Sequence, residues 1–192
     1  MALVAERTDR ELLEAAQAGD EQAFALLDER YRPLVFRIAL RTLGRTDDAE
    51  DICQEVFFRL YRQPPQLDDH PHALRLWLAR VTTNAALNLL RSQRRARFHW
   101  SRLLRFDRLF HDQRRTAEWN ETSLLVQSVL EELSDRDRAL LALRVSGFSY
   151  EEIATLLQLR PTSVGTLLAR AERRFRERYR ALLGEDGEEV RE

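Results

Sequence analysis

The chain has 192 residues, of which 44% are hydrophobic and 33% charged, with only six glycines and five prolines. This composition is typical of a soluble, strongly helical protein, and the single cysteine, Cys53, excludes an internal disulfide bond. No apolar run approaches the length of a membrane span, and the acidic start "MALVAERTDRELLEAA" lacks the basic segment of a signal peptide, so we expect a cytoplasmic protein.

The net charge of −1 hides a strong segregation of charge along the chain. Residues 75–115 hold 11 arginines against two acidic residues, and residues 170–183 hold six arginines against two. The segments before, between and after these two blocks are acidic, and lysine is absent. Two basic blocks separated by acidic segments predict two contacts with a polyanion and at least one contact with a different partner.

Apolar residues at helical spacing predict four helices in the N-terminal half. Thr8 or Asp9 caps the first helix, and Pro33 is a candidate interruption of the second. A third helix follows the acidic segment "TDDAED", and a fourth spans about residues 73–97. Between them, "RQPPQLDDHPH" at residues 62–72 is expected to be a loop, because proline lacks a backbone N–H and restricts its neighbour.

The C-terminal half is predicted to hold a second set of helices. Ser134 and Ser149 are expected to cap two of them, and Pro161 suits the first turn of the last. No window alternates as a strand should. The predicted fold is therefore all-α, with two small helical domains joined by a flexible basic linker. The expected boundaries are 8–97 for the first domain, 98–121 for the linker, 122–183 for the second domain and 184–192 for an acidic tail.

The segment "SYEEIATLLQLRPTSVGTLLARAERRF" predicts a short helix, a connection of about four residues and a second helix. Val164, Leu168, Ala171 and Phe175 recur at helical spacing on the second helix and predict its core face. The opposite face carries serine, threonine and arginine, which reach base edges and phosphates in the major groove. This arrangement is a helix-turn-helix, and an ordinary helical hairpin with a solvated arginine face is the alternative.

The fourth helix carries a second candidate for nucleic-acid binding. Arg80, Asn84, Asn88 and Arg91 share one helical face, and Trp77 lies near the start of the helix. Asparagine hydrogen bonds to base edges, arginine neutralises phosphate and a preceding loop offers stacking surfaces, as needed for single-stranded nucleic acid. The alternative is a surface helix with incidental asparagines.

Metal and enzyme motifs give no comparable signal. His70 and His72 share the proline-containing loop, but no second pair at ligand spacing supports a metal site. We found neither a Gly-rich phosphate loop nor a nucleophile motif. We therefore expect no cofactor, no metal and no enzymatic activity.

Four segments together resemble the extracytoplasmic-function (ECF) sigma factors of bacteria, in their minimal two-domain form. In chain order they are "AGDEQAFALLDERYRPLVFRIAL", "DAEDICQEVFFRLYR", "LWLARVTTNAALNLLR" and "LSDRDRALLALRVSGFSYEEIATLL". The resemblance covers nearly the whole chain. It implies a subunit that binds core RNA polymerase, recognises the −10 and −35 promoter elements, captures a flipped non-template base during promoter melting and directs transcription initiation. It also implies an anti-sigma factor as a further partner.

The resemblance also implies site residues. The acidic face that docks on the β and β′ subunits of core polymerase would comprise Asp48, Asp51, Gln54 and Glu55. The −10 element would be bound by Trp77, Arg80, Asn84, Asn88 and Arg91, with loop residues 63–73 around the flipped base. The −35 element would be bound by Arg160, Ser163, Thr166, Ala169, Arg170, Arg173 and Arg174. The loop departs from the usual family sequence, so the base that it selects stays open.

Two other classes of function compete with this interpretation. A stand-alone helix-turn-helix regulator with an N-terminal interaction domain would need neither the acidic "DAEDICQE" helix nor the asparagine-bearing helix. A purely structural helical adaptor would leave both arginine faces without a use. The acidic tail suggests one further hypothesis, that it folds back on residues 173–180 and weakens DNA binding.

Overall fold

The computed structural model describes residues 7–70, 72–103 and 121–184, without the side chains of 97–103 and 121–123. Within these ranges the chain forms eight α-helices and no strand, which confirms the all-α prediction. They are α1 (Asp9–Gln17), α2 (Glu21–Leu43), α3 (Thr46–Arg62), α4 (Ala73–Leu103), α5 (Glu121–Glu132), α6 (Asp135–Val145), α7 (Tyr150–Leu157) and α8 (Pro161–Leu183). Most of the predicted linker and the tail beyond residue 184 lie outside the described residues, as does the hypothesis that the tail folds back.

Two helix starts are set by reciprocal capping. The Thr8 hydroxyl accepts from the backbone N–H of Glu11 at 3.3 Å, and the Glu11 carboxylate accepts from the Thr8 N–H at 2.7 Å. Ser149 and Glu152 form the same capping box at the start of α7, at 3.2 and 2.7 Å. Thr8 is therefore the cap of α1, and the predicted cap at Ser149 is confirmed. The Thr8 N–H also holds the pKa of the Glu11 carboxyl below its usual value.

Pro33 does not interrupt α2, which runs unbroken through it. Proline removes one backbone N–H, which leaves the carbonyl of Glu29 without its helical donor. Both residues are exposed, so water can serve that carbonyl. The buried side chains of Leu34, Val35 and Ile38 follow directly and hold the next turn of α2 in place.

The fourth helix is longer than the sequence predicts. It continues past residue 97 to Leu103 and contains 31 residues. The extension "FHWSRL" contains no glycine or proline that would end a helix. The first six residues of the predicted linker, 98–103, are therefore helical.

Helices α1 to α4 enclose a core of their own, which we call the N-terminal core. Its buried residues are Leu12, Leu13, Ala23, Leu27, Val35, Ala39, Leu43, Ala49, Ile52, Cys53, Val56, Phe57, Leu60, Leu74, Leu78, Val81, Ala86 and Leu90. Burial raises the pKa of the Cys53 thiol to about 11, so it packs as a neutral hydrophobe. Every member of this core comes from the first half of the chain.

A second core lies between the two halves, and we call it the seam core. From the C-terminal half it contains Leu140, Leu143, Phe148, Ile153, Ala154, Leu156, Val164 and Leu168. The same cluster contains Leu34 and Ile38 of α2 and Ala79 of α4. The two predicted helical units therefore pack directly against each other and share buried apolar surface.

An arginine from α4 joins the two halves at the edge of the seam core. The Arg75 guanidinium lies 3.9 Å from the centre of the Phe148 ring. It also pairs with the Glu152 carboxylate at 3.1 Å and donates to the Gly147 carbonyl at 3.2 Å. Because the cation is partly removed from water, its contact with the ring is stronger than at an exposed site.

Two more arginines cross the seam in the same direction. Arg94 of α4 pairs with Asp135 at 2.9 Å and donates to the carbonyl of Leu133 at 3.2 Å. Arg41 of α2 donates to the Ser146 hydroxyl at 3.2 Å. Burial, together with the nearby positive charge of Arg37, lowers the pKa of Arg41.

Candidate nucleic-acid and protein interfaces

The predicted helix-turn-helix is present in α7 and α8. Three residues, 158–160, connect the two helices, one fewer than expected. Gln158 ends α7 in the left-handed region with φ 55°, and the Leu159 N–H bonds to the Ala154 carbonyl at 2.8 Å. Pro161 starts α8, where its missing N–H costs nothing. The turn is therefore closed by backbone geometry and aims the two helix axes apart.

The inner face of α8 agrees with the predicted core stripe. Val164, Leu168 and Ala171 are buried, whereas Phe175 is half-buried and stacks on Tyr179 with ring centres 6.1 Å apart. The stripe anchors α8 on its own half and leaves its opposite side to solvent.

The outer face of α8 carries five of the seven residues predicted for the −35 element. Arg160, Thr166, Ala169, Arg170 and Arg173 are all exposed. The Arg160 and Arg170 side chains have no hydrogen-bond or ion-pair partner within the described ranges. Arg173 meets Glu177 at 3.6 Å, an exposed pair that contributes little. These side chains are free to meet an anionic partner.

The other two predicted −35 residues are engaged within the protein. The Ser163 hydroxyl donates to the backbone carbonyl of Arg160 at 2.7 Å. Arg174 bonds to Asp137 of α6 at 2.8 Å, and that carboxylate is only 2% exposed. Arg174 therefore has an internal partner that sequence reasoning missed, because nothing in a linear pattern pairs residues 37 positions apart.

Gly165 lies in the second turn of α8, next to the ring of Tyr150. A Cβ at this position would lie 3.4 Å from Tyr150 Cε2, an ordinary van der Waals contact. Tyr150 is half-exposed and has the Arg144 guanidinium 5.2 Å from its ring centre. The glycine is therefore not required by space inside the protein.

The predicted −10 face of α4 is formed as the sequence indicates. Arg80, Asn84, Asn88 and Arg91 are exposed along one side of the helix. Arg91 donates to the Asn88 side-chain oxygen at 3.1 Å, which orients the amide. Trp77 is half-buried and packs against the N-terminal core, so part of its ring is covered by the protein.

The predicted polymerase-binding face lies on α3. Asp51, Gln54 and Glu55 are exposed, and Phe58 and Tyr61 continue the same side of the helix at 65% and 61% exposure. Exposed aromatic residues beside charged ones are typical of a protein contact rather than of a solvated face. The sequence analysis did not include either aromatic residue, because the resemblance on which this face depends implied only polar residues.

Asp48 differs from the rest of the acidic face. It is half-buried, pairs with Arg45 at 3.4 Å and accepts from Gln93 of α4 at 3.2 Å. The carboxylate thus helps to join α3 to α4, and it is less available to a partner than Asp51 or Glu55.

Two absences complete the description of the site. Within the described ranges, no three His, Cys, Asp or Glu side chains lie close enough together to hold a metal ion. None of the helices in those ranges combines the length and apolar character needed to cross a membrane.

Comparison with known proteins defines the class first. The model of Sigma-70 region 2 matches residues 27–96, and that of Sigma-70, region 4 matches residues 123–175. The first segment covers the acidic and asparagine-bearing helices, and the second covers the helix-turn-helix. These matches place the chain in the sigma-70 class.

Individual relatives narrow this class. The chain is 33% identical over 171 residues to the ECF RNA polymerase sigma factor SigM of Mycobacterium tuberculosis, covering 88% of this chain and 84% of SigM. It is 31% identical over 172 residues to the ECF RNA polymerase sigma factor SigE of Mycolicibacterium smegmatis, covering 83% of this chain and 63% of SigE. The chain belongs to the ECF RNA polymerase sigma factors, which act in transcription initiation, and the resemblance noted in the sequence is confirmed.

Solved structures agree with this assignment. CnrH, solved in complex with the cytosolic domain of CnrY, superposes with a TM-score of 0.60 at 26% identity, covering 93% of this chain and 99% of CnrH. The sigma factor RpoE of Bartonella quintana, solved with the anti-sigma factor NepR, superposes with a TM-score of 0.59 at 21% identity, covering 83% of this chain and 98% of RpoE. The second likeness concerns the fold alone.

Proposed function

We propose that this chain is a promoter-specificity subunit that works in the cytoplasm on core RNA polymerase. It binds the β and β′ subunits, recognises the −10 and −35 elements and assists melting by capturing a flipped non-template base. The chain is not itself an enzyme, since polymerisation belongs to the core. The observation that carries this proposal is the separation of one acidic, aromatic face on α3 from two polar and cationic faces on α4 and α8.

Each function is proposed for one part of the chain. Residues 8–97 bind core polymerase and the −10 element, and residues 122–183 bind the −35 element. Residues 98–121 connect the two as a linker, and the acidic tail follows. The shared seam core does not conflict with this division, because packed units separate when a partner binds each one better alone.

The −10 contact depends on the exposed side of α4. Flipping a base costs a few kcal/mol of unstacking, and a pocket that is already formed offsets that cost. Asn84 presents an amide that bonds a base edge with both its donor and its acceptor. The Asn88 amide is already held by Arg91 at 3.1 Å, and we expect the loop before α4 to border the base.

The −35 contact depends on the outer side of α8. Thr166, Ala169 and Arg170 face the base edges of the major groove, and Arg160 and Arg173 pair with phosphates at its rim. Arg174 contributes less to DNA binding than its position suggests, because Asp137 already holds it.

Promoter binding requires the two halves to move apart. The −10 and −35 elements lie about 25 base pairs apart, or about 85 Å of B-DNA. Helix α7 packs against both α4 and α8, so the axes of α4 and α8 are separated by no more than about 20 Å. The closed arrangement therefore cannot hold both elements at once, and we expect core polymerase to stabilise an open one.

An anti-sigma factor is the partner that we propose for the closed arrangement. CnrH and RpoE were both solved with a bound partner, and the RpoE partner is an anti-sigma factor. A protein that binds both halves of the closed chain would keep the promoter contacts too close together to be used.

The proposal is tested with purified chain, core polymerase and run-off transcription. The triple variant Asp51→Ala, Gln54→Ala, Glu55→Ala should bind core at least about tenfold more weakly and lose transcripts in proportion. A matched control changes three exposed carboxylates elsewhere: Glu14→Ala, Glu21→Ala and Glu29→Ala. Undiminished transcripts from the α3 variant, or no binding of the wild-type chain to core, would contradict the proposal. A chain that binds duplex alone and ignores core would support the stand-alone regulator instead.

A further inference from the structure

The loop between α3 and α4, residues 63–72, has few ties to the helices around it. Pro64 and Pro65 lack a backbone N–H, so they cannot donate. The loop's own side-chain bonds are local, from the His70 N–H to Asp68 at 3.2 Å and from the His72 N–H to His70 Nδ1 at 3.1 Å. The end of the loop is joined to α4 by the Ala73 N–H, which donates to the His70 carbonyl at 3.0 Å, whereas residues 64–69 make no backbone hydrogen bond to a helix in the described part of the chain.

Arg10 of α1 supplies a tie from outside. Its Nη2 donates to the carbonyl of Leu67 at 3.1 Å, to the carbonyl of Asp68 at 2.9 Å and to the Asp69 carboxylate at 2.9 Å. Among the described residues, no other side chain outside the loop hydrogen bonds to it. All three contacts are made by Nη2, whose two hydrogens are shared among two backbone carbonyls and the exposed Asp69 carboxylate.

The helix that carries Arg10, α1, is itself fixed in place. The neighbouring Asp9 accepts from Arg30 at 2.6 Å and from the Tyr31 hydroxyl. Burial, reinforced by the Asp9 carboxylate, raises the pKa of Tyr31, so it remains a donor at physiological pH. Leu12 and Leu13 of α1 are buried in the N-terminal core. The side chain of Leu67 packs against the same core, and Arg10 binds the polar groups beside it, so residues 67–69 are held from a helix whose own position is fixed.

We propose that Arg10 is a positioning residue for base selection at the −10 element. It holds residues 67–69 in one path, so that the loop meets the Asn84 side of α4 in a fixed geometry and the pocket exists before the base arrives. This proposal rests on the proposed function. Arg10 lies outside both segments matched by the sigma-70 models, 27–96 and 123–175, so the family description does not assign it a role.

The physical reason is preorganisation. A loop that samples many paths must be ordered when the base binds, and that entropy subtracts from the binding of every base. The difference in affinity between the right and the wrong base also becomes smaller, because a mobile pocket adapts to a wrong base. Arg10 removes this freedom in the free chain.

The central test uses holoenzyme and four promoters that differ only in the flipped non-template base. Arg10→Ala should reduce the ratio of initiation between the best and the worst base by at least about fivefold. Its affinity for core and for −35 duplex should stay within about twofold. Arg7→Ala is the matched control, since Arg7 lies on the same segment, pairs with Asp20 at 3.5 Å and does not contact the loop. An unchanged ratio in Arg10→Ala overturns the proposal.

The pattern across the four promoters separates positioning from a direct contact with DNA phosphate. A phosphate contact would be retained by lysine, and its loss in Arg10→Ala would weaken all four promoters equally and flatten the salt dependence. Positioning predicts instead that Arg10→Ala lowers the ratio between the best and the worst base, and that Arg10→Lys restores the ratio, because a single nitrogen makes all three contacts with the loop. Asp69→Ala removes one of the three acceptors and should lower the ratio less than Arg10→Ala does.

Hydrogen exchange on the free chain keeps the two proposals distinguishable. Amides of the loop should exchange at least about fivefold faster in Arg10→Ala than in wild type or in Arg7→Ala, while those of α2 stay unchanged. Unaltered exchange in the loop overturns the positioning role. If the wild-type holoenzyme did not initiate transcription, the proposed function would be overturned. Faster loop exchange in Arg10→Ala would still establish that Arg10 holds the loop in the free chain.

Discussion

The two halves of the molecule differ in where their cores end. The N-terminal core draws all of its buried residues from α1 to α4. The seam core, in contrast, completes the apolar packing of α6, α7 and α8 with side chains of α2 and α4. The N-terminal half thus has a core of its own besides the side chains that it contributes to the seam, whereas most of the core of α6 to α8 belongs to the shared seam.

The polar contacts of the seam show how such a dependence can remain reversible. Arg41, Arg75 and Arg94 all extend from the N-terminal half to groups at the C-terminal ends of α5 and α6. Helix C-terminal ends carry partial negative charge, which stabilises these cations, and Arg75 and Arg94 also pair with the carboxylates of Glu152 and Asp135. Contacts of this kind hold the two halves together without preventing them from separating.

The largest effect that tests this comparison is expected for Phe148→Ala. The ring is fully buried in the seam core and lies under Arg75, so its removal should lower the free energy of unfolding by about 3–5 kcal/mol. Urea unfolding monitored by circular dichroism measures it. The exposed Phe58→Ala is the control and should change stability by less than about 0.5 kcal/mol. Equal stabilities of the two variants would show that the seam is not a true core.

Arg174→Ala tests how the C-terminal half is stabilised internally. Removing the guanidinium leaves the buried Asp137 carboxylate without its partner, and the expected cost is about 1–3 kcal/mol, at the lower end because Arg174 is 48% exposed.

Arg170→Ala is the matched control for Arg174→Ala, since Arg170 is exposed and has no partner in the described part of the chain. It should leave stability unchanged but lower the slope of −35 duplex binding against salt by about one unit. The opposite pattern, with Arg174 governing the salt slope and Arg170 the stability, would refute this division of roles.

Arg75→Ala sharpens the comparison by loosening the seam alone. Loss of the ion pair with Glu152 and of the contact with Phe148 should favour the open arrangement by about 1–2 kcal/mol. Small-angle scattering should then report a larger radius of gyration. Arg95→Ala, on the exposed side of the same helix, should leave the radius unchanged. A compact Arg75→Ala chain would mean that the apolar contacts alone keep it closed.

Gly165→Ala is expected to have the smallest effect, and of opposite sign. Alanine gains about 0.5–1 kcal/mol of helix stability over glycine, and its Cβ meets Tyr150 at an acceptable 3.4 Å. Thermal unfolding should show a modest increase in Tm. A decrease would mean that the Tyr150 ring cannot move by even a few tenths of an ångström.

Local rules predicted much of this molecule and failed in recognisable places. The capping boxes, the proline-containing loop and the core stripe of α8 all depend on residues a few positions apart. The predicted interruption of α2 at Pro33 was wrong, because the buried residues that follow it hold the helix in place. The fourth helix was expected to end at about residue 97, but it continues to Leu103, into a stretch that the sequence predicts as a linker with some helix.

The sequence by itself determined the all-α class, the helix-turn-helix and the family, since periodicity, caps and motif order are properties of neighbouring residues. Only the tertiary structure decided that the two halves share a core, that Asp137 holds Arg174 and that Arg10 holds the loop before α4. These contacts join residues that are 37 or more positions apart. Such pairs are chosen by how whole helices pack, and no local pattern records which helix faces which.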